Sequence, residues 1–244
     1  MDILRIKHAI RNKNALELVL NTQLVDKDTL NIQHKELGNH TLIAYAVIMS
    51  DVFAVHHLLD IGADPRYGET HGVSSFHLAV NNGNVAIVSS LVRSGADVNA
   101  LDRQGHSSFH LATFRNNIDM MMLLANSGAC VDEPDTEGCT PLYYAICSGD
   151  EKTVRCILSE GIDISRMFHT PVGALSYLHL ALKYAYKEKV GILTALLEHG
   201  ADTSIVYPYG KTPLEYVNVH CSIEVVRLLT RYATPNNKEV YQPF

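Results

Sequence analysis

From residue 41 onward the apolar side chains come in short bursts at helical spacing, separated by polar turns. Val55, Leu58 and Leu59 form one such stripe, Val88, Leu91 and Val92 a second, and Val154, Ile157 and Leu158 a third. Each stripe runs into a glycine: Gly62, Gly95, Gly128, Gly161 and Gly200, the first four spaced 33 residues apart and the last 39 further on. A glycine placed there suits a helix C-terminus that must turn through positive φ. Ahead of each stripe lies a second, shorter apolar stretch: TLIAYA (41–46), SSFHLA (74–79), SSFHLA (107–112), TPLYYA (140–145), SYLHLA (176–181) and TPLEYV (212–217). Their last residues, Ala46, Ala79, Ala112, Ala145, Ala181 and Val217, step by 33, 33, 33, 36 and 36. The leading Thr or Ser is a helix N-cap, and Pro141 and Pro213 fit a first helical turn. The pattern predicts a unit of helix, tight turn, helix and projecting loop, repeated along the chain. Three residues are added in the loop before Ser176 and three more between Ala181 and Gly200.

These stretches, together with Gly-Ala-Asp at the helix ends and Asp97-Val98-Asn99-Ala100, resemble the ankyrin repeat family over roughly residues 37–232. The resemblance implies an all-α ankyrin-repeat solenoid. One helix pair cannot bury its own apolar face, so repeats stack and the ends need caps. The expected organisation is an N-terminal helical cap or degenerate repeat (1–36), six repeats (37–69, 70–102, 103–135, 136–171, 172–207 and 208–233) and a C-terminal tail (234–244). The enlarged loop 167–176 offers Phe168 either as a surface anchor or as a cover for the longer helix pair behind it.

The resemblance also assigns roles. His77, His110 and His179 hold the fourth place of the six-residue motif, where the family's histidine is structural. Partners of such proteins sit on a concave face built from hairpin tips and first helices. Repeat phase then selects Arg103, Gln104, His106, Phe114 and Arg115 in the third repeat and Thr136, Glu137, Cys139, Cys147 and Ser148 in the fourth. Lys183 and Tyr184 follow in the fifth, Tyr209 and Lys211 in the sixth, and His71, Asn81 and Asn82 in the second, with Tyr207 extending the aromatic patch. An exposed Phe beside an Arg has the chemistry of an interface anchor. Leu91, Asp97 and Asn99 match the pattern by which cytosolic asparaginyl hydroxylase recognises ankyrin repeats, so Asn99 is a candidate modification site.

Charge and composition narrow the partner. The net charge of −6 and the lack of any long Lys/Arg run argue against nucleic acid. No window is apolar enough to span a membrane, and MDILRIKHAIRNKN has no signal-peptide core, so the chain is read as cytoplasmic. Five cysteines without a C-x-x-C pair read as free thiols, with a reactive thiol at Cys139 or Cys147 left open. His106 and His110 have two-ligand spacing, but His106 precedes the helix and no Glu accompanies it, so no metal is expected. Phosphate-loop, dinucleotide and nucleophile-elbow motifs are absent, so neither a cofactor nor an enzymatic activity is expected.

Three readings remain within protein binding. The Asn- and Tyr-rich, loosely matched repeats resemble poxviral ankyrin host-range proteins, which capture host immune or cell-death factors and often deliver them to a ubiquitin ligase through a C-terminal F-box-like segment. A cellular ankyrin and SOCS-box substrate receptor is the second. Only about a dozen residues follow the last helix here, so a ligase would be reached through a segment absent from this sequence. A scaffold or inhibitor resembling the IκB proteins is the third, although neither an acidic C-terminal segment nor Asp-Ser-Gly-x-x-Ser occurs.

Overall fold

Each first helix begins where a hydroxyl or amide caps it. Thr41, Ser74, Ser107 and Thr140 sit in extended backbone, and their side-chain oxygens accept from the backbone N–H three residues on. The second helices that follow these four have an equivalent cap in Asp51, Asn84, Asn117 and Asp150, also 33 residues apart. The residue before each of these caps is left-handed: Ser50, Gly83, Asn116 and Gly149 have φ of 50°, 72°, 49° and 76°. The turn joining the two helices is thus as periodic as the motif that opens them.

The computed structural model describes residues 3–23, 25–67, 73–170, 173–184, 189–206, 210–220 and 223–233. They form helices α1 (Ile3–Arg11), α2 (Ala15–Thr22), α3 (Lys27–Asn31), α4 (Leu42–Ile48), α5 (Val52–Asp60), α6 (Ser75–Asn81), α7 (Val85–Arg93), α8 (Ser108–Phe114), α9 (Ile118–Asn126), α10 (Pro141–Ser148) and α11 (Glu151–Leu158). A hairpin of β1 (Met167–Thr170) and β2 (Gly173–Ser176) follows, then α12 (Tyr177–Tyr184), α13 (Lys189–Glu198), α14 (Pro213–His220) and α15 (Ile223–Ala233).

The chain divides into two compact units, 1–136 and 137–244. In the first, α4, α6 and α8 pack in sequence, as do α5, α7 and α9, and each first helix lies against its own second helix. The core between these layers is dry and aliphatic: Ile43, Val47, Val55, Leu58, Val80, Val88, Leu91, Met121 and Leu124 are buried, with Phe76 and Phe109 among them. At the N-terminal end α1 pairs with α2, with the left-handed Lys13 and the cap Asn14 between them, so this pair copies the turn of the later ones. Two features there went unread in the sequence: the short α3, and a hairpin closed by His34 N–H donating to the His40 carbonyl at 3.0 Å.

In the second unit α10, α12 and α14 pack in sequence, and α11, α13 and α15 alongside. The stretch 167–176, read as an enlarged loop, is instead the antiparallel β1–β2 hairpin, with Phe168 opposite Leu175. Phe168 is 6% exposed and meets the rings of Tyr143 and Tyr177 at 5.2 and 4.9 Å, so it is a covering residue and not a surface anchor. Tyr177 is fully buried, and its hydroxyl is 2.8 Å from Thr140 Oγ1. Among the described residues no helix is long and apolar enough to cross a membrane.

Candidate interaction surface

The three motif histidines are fastened inward. The Ser74 backbone N–H donates to His77 Nδ1 at 3.2 Å, so that nitrogen carries the lone pair and Nε2 carries the proton, donated to the Ala100 carbonyl at 3.0 Å. Ser107 and His110, and Ser176 and His179, repeat the inner half of this arrangement. Burial lowers the pKa of His77, and at His179 it drives the value to about 4, outweighing the opposing pull of the Ile205 backbone. A buried neutral imidazole with its lone pair spent on a cap is a fastener and not a catalytic base.

Asn99 is fastened too. Its side-chain carbonyl accepts from the Cys130 N–H at 2.7 Å and its amide donates to the Gly128 carbonyl at 3.2 Å, so it ties its own loop to the end of α9. The residue itself is exposed.

At the 101–107 hairpin the Asp102 N–H donates to the His106 carbonyl at 3.0 Å and the His106 N–H donates to Asp102 Oδ1 at 2.9 Å, while Arg103 and Gln104 stand exposed at the tip. The Gln104 carbonyl accepts from the Thr136 N–H at 3.0 Å and its hydroxyl at 2.8 Å, joining one tip to the next. His106 is drawn in between. Its side chain is 16% exposed, with Nδ1 3.3 Å from Asp102 Oδ2 and Nε2 3.7 Å from Asp135 Oδ2. Its ring takes Phe114 edge-on, with centroids 5.1 Å apart. Phe114 remains 42% exposed at the end of α8, and Arg115 follows it at the C-cap. Arg115 turns away from the hairpin: its Nε and Nη2 donate to Asn81 Oδ1 at 3.3 and 3.0 Å. A depression of about 540 Å³ opens there, lined by Asn81, Asn82, Gly83 and residues 115–119. Arg103, Gln104, Phe114 and Arg115 are all exposed, and nothing in the repeat phase showed that Asn81 would hold the guanidinium.

In the second unit Glu137 and Ser148 are exposed, and the Lys183 ammonium lies 4.7 Å from the centre of the Tyr184 ring. Cys139 and Cys147 flank Tyr143, whose pKa is pushed up to about 12, first by burial and then by both thiols. Burial likewise raises the Cys147 thiol against the pull of Tyr143 and Lys183, so Cys147 lacks the thiolate character of a reactive cysteine. Lys211 is exposed, whereas Tyr207, Tyr209 and His71 lie outside the described residues. Among the described residues no group of three His, Cys, Asp or Glu side chains is placed to hold a metal ion.

The chain's sequence matches no curated protein. Residues 76–167 match the family model for ankyrin repeats in three copies. The fold is similar to the crystal structure of the ankyrin repeat domain of Bcl-3, described as a unique member of the IkappaB protein family. That match has 24% identity and a TM-score of 0.80 over 93% of this chain and 97% of the other. It is also similar to the human ASB11 ankyrin repeat domain, at 22% identity and a TM-score of 0.68 over 94% and 98%. The chain has the ankyrin-repeat fold, and residues 76–167 match the ankyrin-repeat family model.

Proposed function

We propose that the chain captures another protein through the hairpin tips and first helices of its repeats, with Arg103, Gln104, His106, Phe114 and Arg115 in the first unit and Glu137, Lys183, Tyr184, Tyr207 and Tyr209 in the second as the contact residues. The observation that carries this reading is Phe114. The motif phenylalanines Phe76, on α6, and Phe109, five residues earlier on α8, are 1% and 0% exposed, whereas Phe114 stays 42% exposed and is steadied by His106. An oriented aromatic beside an arginine, held out of its own core, is the composition of an interface hot spot.

The role proposed is that of a cytoplasmic host-interference factor that binds a host immune or cell-death signalling protein, blocking it or passing it to a ubiquitin ligase. The resemblance of the loosely matched repeats to poxviral ankyrin proteins supports it. A cellular adaptor is the second reading. The likeness to Bcl-3 favours an IκB-like inhibitor within it, and that to ASB11 a substrate receptor. Asn99 is proposed as a hydroxylation site: it is exposed, and a mass shift on its tryptic peptide from cells holding the hydroxylase would report the change.

A photo-crosslinking amino acid placed at Gln104 tests the face, with Met122, exposed on α9, as the control. The partner is expected to crosslink from Gln104 and not from Met122; the reverse would put the interface on the second helices.

A further inference from the structure

We propose that the Phe114–Arg115 corner recognises a carboxylate of the partner, presented beside an apolar side chain on one peptide segment. This rests on the reading above and adds the chemistry of what is bound.

Arg115 is ordered without being neutralised. Both of its contacts, at 3.3 and 3.0 Å, go to one oxygen of Asn81, a neutral amide 34 residues earlier at the end of α6. The side-chain entropy that an exposed arginine loses on binding has already been given up, while its charge is unspent. Among the described residues no carboxylate lies at ion-pair distance from Arg115 or from the exposed Arg103.

The surroundings specify a carboxylate. Two N–H groups of the five-donor fork face Asn81, and the remaining donors suit a planar two-oxygen acceptor. Arg115 is the one cation lining the depression, and the amides of Asn81, Asn82, Asn116 and Asn117 are neutral, so the site is matched to a single negative charge. Asp119 lines the same depression, so of its two charged residues Arg115 alone attracts an acidic group and Asp119 opposes it. Phe114, held edge-on by His106, gives the adjoining apolar contact.

The probe is a peptide selected from a random short-peptide library displayed on phage and panned against the full chain, with affinities then measured by fluorescence anisotropy. Enriched peptides should carry Asp or Glu next to a large apolar residue. Arg115→Gln should weaken them about tenfold, as expected for a charge-assisted hydrogen bond. Asn81→Ala, which leaves the charge but frees it, should weaken them by a smaller factor, and Asp119→Asn should tighten them. Arg115→Glu should be rescued by a peptide whose acidic residue is changed to Lys. Asn81, Arg115 and Asp119 are all exposed, so the variants keep their helical circular dichroism. Enriched peptides without an acid, no enriched peptide at all, or affinity unmoved by Arg115→Gln would each overturn the proposal. If Phe114→Ala abolishes binding while Arg115→Gln does not, the interaction face stands and the carboxylate inference alone fails; if neither matters, both fail.

Discussion

Gly105 and Ser50 occupy the same left-handed region of backbone space for opposite reasons. At Gly105, with φ of +77°, an added Cβ would stand 2.7 Å from Thr136 N and 3.0 Å from Asp135 Cα, so the neighbouring backbone closes off any side chain. Gly105→Ala should therefore cost about 2 kcal/mol or more, adding a backbone clash to the left-handed penalty. Ser50, with φ of 50°, already carries that penalty in a helix–helix turn. Ser50→Gly should stabilise by about 0.5–1 kcal/mol. Urea unfolding of the two variants checks both signs. The histidines set the pH response. His77 and His179 have folded-state pKa values below the ordinary 6.5, so the unfolded chain binds their protons first and stability falls as pH drops below 6.5 toward about 4. The urea midpoint should decline between pH 7 and 5.5, above the carboxylate range, and His179→Asn should flatten that decline.

At the scale of the helix and hairpin, the first helices were legible because Thr or Ser, apolar residues and a closing Ala (Val217 in the last) recur every 33 or 36 residues and each has a local job. The second-helix caps Asp51, Asn84, Asn117 and Asp150 keep the same period, and this signal was present in the sequence though unread. The hairpin at 167–176 was not legible as β structure. Four-residue strands are too short for alternation to show, and the sequence Thr-Pro-Val-Gly (170–173) reads as any turn. The decision was made by packing, since Phe168 closes over Tyr143 and Tyr177. Phe168→Ala should destabilise by about 3 kcal/mol, the usual cost of emptying a buried phenylalanine site, and near-ultraviolet circular dichroism should report loosening of the tyrosines around it. The candidate surface divides the same way. Phase alone placed Arg103, Gln104, Phe114 and Arg115 outward, because exposure follows helix geometry. The fastening of Arg115 by Asn81 and the drawing-in of His106 by Asp102 and Asp135 depend on rotamers across neighbouring repeats, which no one-dimensional period encodes.

For the molecule as a whole, burial is spent on holding repeats together, and function is left to what the repeats hold outward. Each unit has its own apolar core, and Thr41, Ser74, Ser107 and Thr140 are buried as helix caps, with His77 and His110 bonded to the caps Ser74 and Ser107. The central claim is that binding belongs to the hairpin and first-helix face. Affinity capture from cytosolic lysate with mass-spectrometric identification, comparing wild type with the Phe114→Ala, Arg115→Glu, Tyr184→Ala triple variant, addresses it most directly. One protein enriched by the wild type and lost with the variant, whose helical circular dichroism is unchanged, is the predicted result. The same proteins retained by both forms would contradict it and move the interface to the second helices.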